Sequence, residues 1–208
     1  MDKRKISSEN KKSLVQYGII AVIAAALYFT GLHTEVIAFV QRGLLSTGIL
    51  NPNVEKIIES RSKETADGTL SSTNKANLDF TLIDKDGNEI SLEEMRGKVI
   101  FMNLWATWCA PCLAEMPSIK KLHKEMGDEV AFVIISLDDD FEKAKAFNKQ
   151  KGYNLPIYAL ENTMPAMYDS STIPTTYIID AKGNLVLTHN GMADYNSEKF
   201  KMFLRSLK

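Results

Sequence analysis

The sequence predicts an α/β protein in which a mixed β-sheet is flanked by helices and preceded by an N-terminal transmembrane helix. Three observations support this prediction. An uncharged apolar run covers residues 14–32. From residue 78 onward, strand-like and helix-like segments alternate, which is typical of a sheet with helices packed on it. A hairpin signal near the carboxyl end adds antiparallel strands to that sheet.

The N-terminal segment has the composition of a membrane anchor. Residues 1–13 hold five basic and two acidic side chains, and residues 14–32 hold none. As a helix, the apolar run is about 28 Å long, close to the roughly 30 Å of a bilayer's hydrocarbon core. The basic flank predicts that residues 1–13 form a cytoplasmic tail and that the chain after residue 32 is extracytoplasmic. A buried core helix and a cleaved signal peptide are the alternatives, although no clear A-x-A cleavage site follows the run.

Residues 33–75 are expected to join this anchor to the domain. Their first part has apolar residues at helical spacing, namely Val36, Ile37, Val40, Leu44 and Leu45. Such a helix either lies in the membrane interface or packs on the domain or a partner, and the sequence favours neither. From residue 53 onward large apolar residues are few, and the second half of this stretch is rich in Ser, Thr, Gly and Asp. This composition predicts a short helix and then a linker.

The compact domain is expected over residues 76–208. Its continuous apolar runs predict strands that are buried on both faces of the sheet. The predicted order is strand 78–83, turn 85–88, strand 98–104, helix 110–126, strand 130–137, helix 141–151, strand 157–160, hairpin 176–188 and helix 197–207. The acidic run Asp138–Asp140 is interpreted as a helix N-cap with solvated neighbours rather than a metal site.

Charge and cysteine content narrow the function. The chain has 25 basic and 26 acidic residues, so no basic excess indicates a nucleic-acid partner. Its two cysteines, Cys109 and Cys112, are too few for a disulfide framework or a four-thiolate zinc site. A bridge between them closes too short a loop to restrain the unfolded chain much. A redox or binding role is therefore favoured.

The predicted position of the cysteines suits thiol chemistry. They follow a buried strand and begin a helix, where free N–H groups and the helix dipole stabilise a thiolate. Cys109, at the helix start, is expected to be the attacking sulfur. Cys112 lies about one turn later and is expected to resolve the mixed disulfide.

The segment NLWATWCAPCLAEMP, residues 103–117, resembles the active-site motif of thioredoxin-like proteins, and especially that of the membrane-anchored TlpA/ResA-like branch. The resemblance extends over roughly residues 76–208 and implies a thioredoxin-like mixed sheet flanked by helices. Residues 172–177 are similar to the family's cis-proline loop. The resemblance implies a cis bond before Pro174, an Ile173 backbone that faces extended substrate, and a site rim that includes Trp108.

The same resemblance implies that Glu115, three residues after Cys112, is an active-site acid that moves protons as the cysteines change state. A solvated helix glutamate is the alternative. Asn103 occupies the position where thioredoxin has a buried aspartate, which makes Glu115 the better proton acceptor. Asn103 itself is expected to complete hydrogen bonds at the strand end.

These observations predict a thiol–disulfide oxidoreductase of the cytoplasmic membrane whose single-pass anchor leaves the catalytic domain on the periplasmic or extracytoplasmic side. The resemblance implies oxidised envelope proteins as substrates, apocytochrome c among them, and a membrane thiol transporter as electron donor. No cofactor or metal is expected. An oxidase of the same architecture, a thiol peroxidase, and a copper or zinc chaperone remain alternatives. For a metal chaperone, His123 lies about 16 Å from Cys112 if one helix connects them, too far to share an ion, whereas His189 on a distant strand is not excluded.

Overall fold

The structure is a computed structural model that describes residues 3–30, 32–52, 54–55 and 75–208. The helices are α1 Lys3–Thr30, α2 Leu32–Leu45, α3 Ala110–Met126, α4 Phe141–Gln150 and α5 Glu198–Arg205. The strands are β1 Thr81–Ile83, β2 Glu89–Ser91, β3 Val99–Trp105, β4 Val130–Ser136, β5 Ile157–Leu160, β6 Thr175–Ile179 and β7 Leu185–Asn190. The predicted linker falls mostly on residues 56–74, which lie outside the described residues.

The seven strands form one mixed sheet in the order β2-β1-β5-β4-β3-β6-β7. β3, β4 and β5 are parallel at its centre. Antiparallel strands extend the sheet on both sides, with β6 and β7 beside β3, and β1 and β2 beside β5. The prediction of a mixed sheet with a late hairpin is confirmed.

The helices that join the parallel strands pack on a single face of the sheet. β3, β4 and β5 follow one another in one direction across the sheet, so two right-handed crossovers place α3 and α4 on the same side. Phe101 and Ile134 of the sheet lie in one buried cluster with Leu113 of α3 and Phe203 of α5. The opposite core, around Met102, is covered by the segment before β1 and by a short 3-10 helix, Ala166–Tyr168.

The predicted elements of the domain agree with the structure to within a few residues. β2 was not predicted as a separate strand because its three residues have no strand-like alternation. Only the second half of the predicted strand 78–83 forms ladder bonds, since Leu78 and Phe80 lie under the sheet as core residues.

The predicted anchor, residues 14–32, falls on α1 and the start of α2. No single described helix has both the length and the apolar composition needed to cross a membrane, but Ser13–Tyr28 and His33–Leu45 meet both requirements as a pair bent by 94°. Apolar side chains along α1, such as Leu14, Ile20 and Val22, are more than half exposed. The alternative of a buried core helix is therefore wrong.

α2 packs on α3 with an unusual distribution of polarity. Ala38 and Leu45 are buried in the helical core, and Glu35 forms an ion pair with Lys151 of the domain at 2.9 Å. The apolar positions predicted from the sequence are exposed, apart from Leu45, and Phe39 between them is 72% exposed. α2 thus turns Glu35 toward the domain together with Ala38 and Leu45, and it turns most of its large apolar residues outward.

Candidate active site

The two cysteines lie where β3 passes into α3. All seven residues of β3 are buried, and the strand ends at Trp105. Cys109 caps α3 with extended backbone, and its Sγ accepts a hydrogen bond from the Cys112 N–H at 3.2 Å. Pro111 lies in the first turn, where its missing N–H is not needed. The start of α3 therefore presents an N–H group and the positive end of the helix dipole to the Cys109 sulfur, which is the placement expected from the sequence.

The cysteine pair is oxidised in this structure, with a disulfide between Cys109 and Cys112. Cys109 keeps 5% of its surface exposed, whereas Cys112 keeps none. An incoming molecule therefore reaches Cys109 first, and Cys112 is reached through its partner sulfur.

A polypeptide edge and an exposed aromatic ring border the accessible sulfur. The bond between Ile173 and Pro174 is cis, which is the geometry that the resemblance implies. The Ile173 carbonyl oxygen lies 3.7 Å from Cys109 Sγ, and the Ile173 side chain is half-buried. Trp108, the residue before Cys109, is 60% exposed. These residues form a surface on which an extended peptide could meet the sulfur.

Glu115 is fully buried one turn beyond Cys112, so the alternative of a solvated helix glutamate is wrong. Its Oε1 accepts a hydrogen bond from Asn103 Nδ2 at 2.8 Å. Its Oε2 accepts one from the backbone N–H of Ala193 at 3.1 Å. The carboxyl group is thereby held between β3 and the loop that precedes α5.

Burial raises the pKa of Glu115 to about 8, because a carboxylate in the protein interior loses its hydration. The hydrogen bonds from Asn103 and Ala193 oppose this effect, since both donate to the ionised form. A carboxyl group with a pKa in this range both gives up and accepts protons near neutral pH.

Asn103 has a different role from the one expected at a strand end. Its Nδ2 donates to Glu115 and also to Thr176 Oγ1 at 2.9 Å. Thr176 Oγ1 accepts a further hydrogen bond from the Tyr195 hydroxyl at 2.7 Å. All four side chains are buried, and they form a chain of polar groups from Tyr195 to Glu115.

Asp138 fixes the loop that leads into the cysteine pair. Its carboxylate accepts hydrogen bonds from the Thr107 N–H at 3.0 Å, from the Thr107 hydroxyl at 2.6 Å and from the Ser136 hydroxyl at 2.8 Å. In the acidic run only Asp140 is the N-cap of α4. Sequence reasoning missed the contact between Asp138 and Thr107 because 31 residues separate them.

The two histidines of residues 76–208 both contact aromatic rings. His123 lies edge-on to Phe132, and His189 lies edge-on to Tyr195. Within the described ranges, no three His, Cys, Asp or Glu side chains are grouped so that they could hold a metal ion.

Comparison with known proteins gives the same fold and chemistry. The sequence profile of the AhpC/TSA family matches residues 73–188. Thioredoxin-like protein YneN of Bacillus subtilis is 37% identical over 116 residues, which cover 54% of this chain and 68% of YneN. Thiol-disulfide oxidoreductase ResA of Halalkalibacterium halodurans is 31% identical over 144 residues, which cover 67% of this chain and 81% of ResA.

Solved structures of thiol–disulfide proteins have the same fold. A thiol:disulfide interchange protein of the thioredoxin family from Chlorobium tepidum superposes with a TM-score of 0.56 at 26% identity. The match covers 65% of this chain and 99% of that protein. The domain described above is therefore thioredoxin-like, with a mixed sheet and flanking helices.

Proposed function

Because the chain belongs to the AhpC/TSA family and is a thiol–disulfide oxidoreductase, we propose that Cys109 and Cys112 are its redox pair and that Cys109 attacks the substrate. The position of Cys109 supports this proposal most. It caps α3, has the exposed surface that Cys112 lacks, and lies beside the Ile173 carbonyl. Trp108, Ile173 and Pro174 would then contact the substrate peptide.

In the reducing direction the Cys109 thiolate attacks one sulfur of a substrate disulfide. A bond between Cys109 and that sulfur forms, the substrate bond breaks, and the released sulfur takes up a proton. Cys112 then gives its proton to the Glu115 carboxylate and attacks Cys109, which releases the second substrate sulfur. That sulfur takes up the proton from Glu115. The substrate gains two electrons and two protons, and the protein ends with the Cys109–Cys112 disulfide.

Trapping of the mixed disulfide tests these roles. Cys112→Ser removes the resolving thiol, so Cys109 should stay bonded to substrate and the complexes should be visible on a non-reducing gel. Cys109→Ser leaves only the fully buried sulfur and should trap far less. Equal trapping by both variants, or none by either, would contradict the assignment.

We propose that the natural substrates are oxidised proteins of the cell envelope, with apocytochrome c as one candidate, and that a membrane thiol transporter supplies electrons. Mass spectrometry of proteins attached to Cys112→Ser in cells would identify them. Reduction potential determines the direction of transfer, which cysteine spacing does not. A potential of about −120 mV, as in strongly oxidising proteins of this fold, would reject the reductase proposal.

The peroxidase and metal-chaperone alternatives predict different measurements. A peroxidase would consume hydrogen peroxide rapidly, and a chaperone would bind one copper or zinc ion per chain without turning over disulfides. Peroxide consumption and metal binding are measured on the same wild-type preparation as disulfide turnover. Either result would replace the oxidoreductase proposal for Cys109 and Cys112.

We also propose that residues 14–32 anchor the chain in the cytoplasmic membrane, that residues 1–13 stay in the cytoplasm, and that α2 lies at the outer lipid surface. Apolar side chains are exposed both along α1 and on the outward face of α2. The ion pairs of Glu35 with Lys151 and Arg42 place the charges of α2 on the domain side. A helix with this polarity is stable when lipid covers its outer face.

A photoreactive phenylalanine analogue at Phe39 tests the position of α2. In full-length protein reconstituted into lipid vesicles, the probe should form crosslinks to lipid. The same probe at Lys143, exposed on α4, is the control and should not. Crosslinks from position 39 to a second copy of the chain or to another protein would reject the lipid proposal.

A further inference from the structure

Tyr195 is a fully buried tyrosine whose hydroxyl group has no role in the disulfide-exchange steps described above. Its O–H donates to Thr176 Oγ1 at 2.7 Å, and this oxygen also accepts from Asn103 Nδ2. Tyr195 comes from the loop between β7 and α5, which also supplies the Ala193 N–H to Glu115. One loop therefore contacts Glu115 directly through Ala193 and indirectly through Tyr195.

The Asn103 amide is the group whose orientation matters for Glu115. Both of its N–H bonds are used, one toward Glu115 and one toward Thr176. Its oxygen has no hydrogen-bond partner among the described residues. With the nitrogen facing Glu115, the amide stabilises the ionised carboxylate. With the oxygen facing Glu115, it would accept a hydrogen bond from the protonated acid.

The hydroxyl of Thr176 decides between these orientations. While Tyr195 donates to it, Thr176 Oγ1 has its two acceptor sites filled by Tyr195 and Asn103. Without Tyr195, the Thr176 O–H is free to turn and donate to the Asn103 oxygen. The amide could then rotate and present its oxygen to Thr176 and Glu115 together.

We propose that Tyr195 is a positioning residue that acts through Thr176 to hold the Asn103 nitrogen toward Glu115, and so sets how readily this carboxyl group releases its proton. The proposal rests on the proposed role of Glu115 in disulfide exchange. Tyr195 does not touch the sulfurs or the substrate surface in this assignment. Its effect reaches the reaction only through the proton on Glu115.

The groups around Glu115 allow its titration to be observed separately. Cys112 is on the same helix and is bonded to Cys109 in the oxidised protein. Burial raises the pKa of Tyr195 well above its usual range and lowers the pKa of His189, whose ring lies against Tyr195. Both are therefore neutral between about pH 7 and pH 9. Within this cluster only Glu115 changes charge in that interval.

The test is a pH titration of the Glu115 carboxyl carbon by NMR in the oxidised full-length protein, with the signal assigned by its loss in Glu115→Gln. Tyr195→Phe should raise the midpoint by roughly one pH unit, a tenfold shift toward the protonated form. Thr176→Val should also raise it, because it removes the oxygen that accepts from the Asn103 nitrogen, and Thr176→Ser should restore the wild-type midpoint. The double variant Tyr195→Phe/Thr176→Val should raise the midpoint no further than Thr176→Val alone, because both changes interrupt the same chain of hydrogen bonds.

Tyr177→Phe is the matched control. Tyr177 is also a buried tyrosine whose hydroxyl donates a hydrogen bond, in its case to the Tyr168 carbonyl at 2.8 Å in the opposite core. It should leave the midpoint unchanged. An unchanged midpoint in Tyr195→Phe, or an equal shift in Tyr177→Phe, would overturn the proposal. If Tyr195→Phe does not fold, the difference between Thr176→Val and Thr176→Ser makes the same test.

Disulfide turnover, measured on the same samples, separates this proposal from the proposed function. If wild type turns over disulfides but Tyr195→Phe has the same Glu115 midpoint as wild type, only the positioning role of Tyr195 is rejected. No turnover by wild type would reject the redox assignment of the cysteines, whatever the midpoints. A midpoint shift should also move the pH profile of turnover in the same direction, which a merely structural role of Tyr195 would not do.

Discussion

Glu115 links the stability of the protein to pH because burial separates its folded and unfolded pKa values. The ordinary value is 4.5, and burial raises it to about 8 in the folded chain. Between these values the folded protein retains a proton that the unfolded chain has lost. The contribution of Glu115 to stability is therefore greatest below pH 4.5 and decreases until the pH passes about 8. The slope is at most about 1.4 kcal/mol per pH unit.

We expect Glu115→Gln to remove this part of the pH dependence, since an amide has no proton to lose. Urea unfolding at about pH 5.5 and pH 8.5 measures the free energy of unfolding of both proteins. From the lower to the higher pH, the stability of the variant should rise relative to that of wild type. Glu89→Gln, an exposed change on β2, should leave the dependence unaltered. A difference between wild type and Glu115→Gln that is independent of pH would contradict a buried, protonated carboxyl group.

Asp138 is a second residue whose contribution to the stability of the fold can be measured. Asp138→Ala leaves the Thr107 N–H and hydroxyl without their partner. We expect a loss of about 1–3 kcal/mol in the free energy of unfolding, together with slower disulfide exchange, because the loop before Cys109 is no longer fixed. Asp139→Ala changes an exposed neighbour and should stay within about 0.5 kcal/mol of wild type. Equal losses in both variants would show that the contact with Thr107 is unimportant.

Part of the site was predictable because it is local in the chain. Cys109 caps α3, and Cys112 and Glu115 follow it at intervals of three, so their proximity follows from helical spacing. Thr176 could not be connected with Asn103 in this way, since 73 residues separate them and only the pairing of β3 with β6 brings them together. Tyr195 gave no signal, because a tyrosine in a loop is normally interpreted as part of the core or the surface.

At the level of elements, α5 is an amphipathic helix that packs its apolar face on the sheet. Phe200 is buried against the rings of Phe101, Tyr195 and Phe203. Met202, two residues later on the same helix, is 60% exposed. This aromatic cluster holds the preceding loop, and with it the Ala193 N–H that donates to Glu115.

Phe200→Ala should therefore destabilise the fold by about 3–5 kcal/mol, because it opens a cavity among aromatic rings. Met202→Ala, on the exposed side of α5, should cost no more than about 0.5 kcal/mol. The free energies of unfolding come from urea titration monitored by circular dichroism. Similar values for the two variants would show that α5 does not pack on the sheet as described.

Elements with a regular period were predictable, and the short or irregular ones were not. β3 and β4 are apolar apart from Asn103 and Ser136, and α3 and α4 follow them with helical spacing. β2 has only three residues, so it is defined by its pairing with β1 rather than by its own pattern. The inverted polarity of α2 was not predictable, because periodicity shows that a helix has an apolar face and does not show what that face contacts.

For the whole molecule, the direction of the chain across the sheet determines where the site can form. The two crossovers that place α3 and α4 on one face leave the start of α3 beside the turn that precedes β6. α2 covers the outer side of α3, so the segment after α1 is part of the same assembly as the domain. The proposed lipid contact of α2 would then hold the cysteine pair at a fixed orientation to the membrane.

If residues 14–32 anchor the chain as proposed, the charges of residues 1–13 determine on which side of the membrane the domain lies, and the two native cysteines allow this side to be measured. After reduction by a membrane-permeable phosphine, a membrane-impermeant maleimide added to intact cells should label Cys109, because the positive-inside rule keeps residues 1–13 in the cytoplasm. Cys109→Ser/Cys112→Ser, which leaves no cysteine in the chain, gives the background.

Exchange of the five basic residues before residue 14 for glutamate should reduce this labelling several-fold, since it removes the charge bias that retains the tail. Exchange of the four lysines among them for arginine preserves the charge and should preserve the labelling. Labelling of the wild-type chain only after the cells are permeabilised would place the cysteines in the cytoplasm, where a reductase of envelope disulfides could not act.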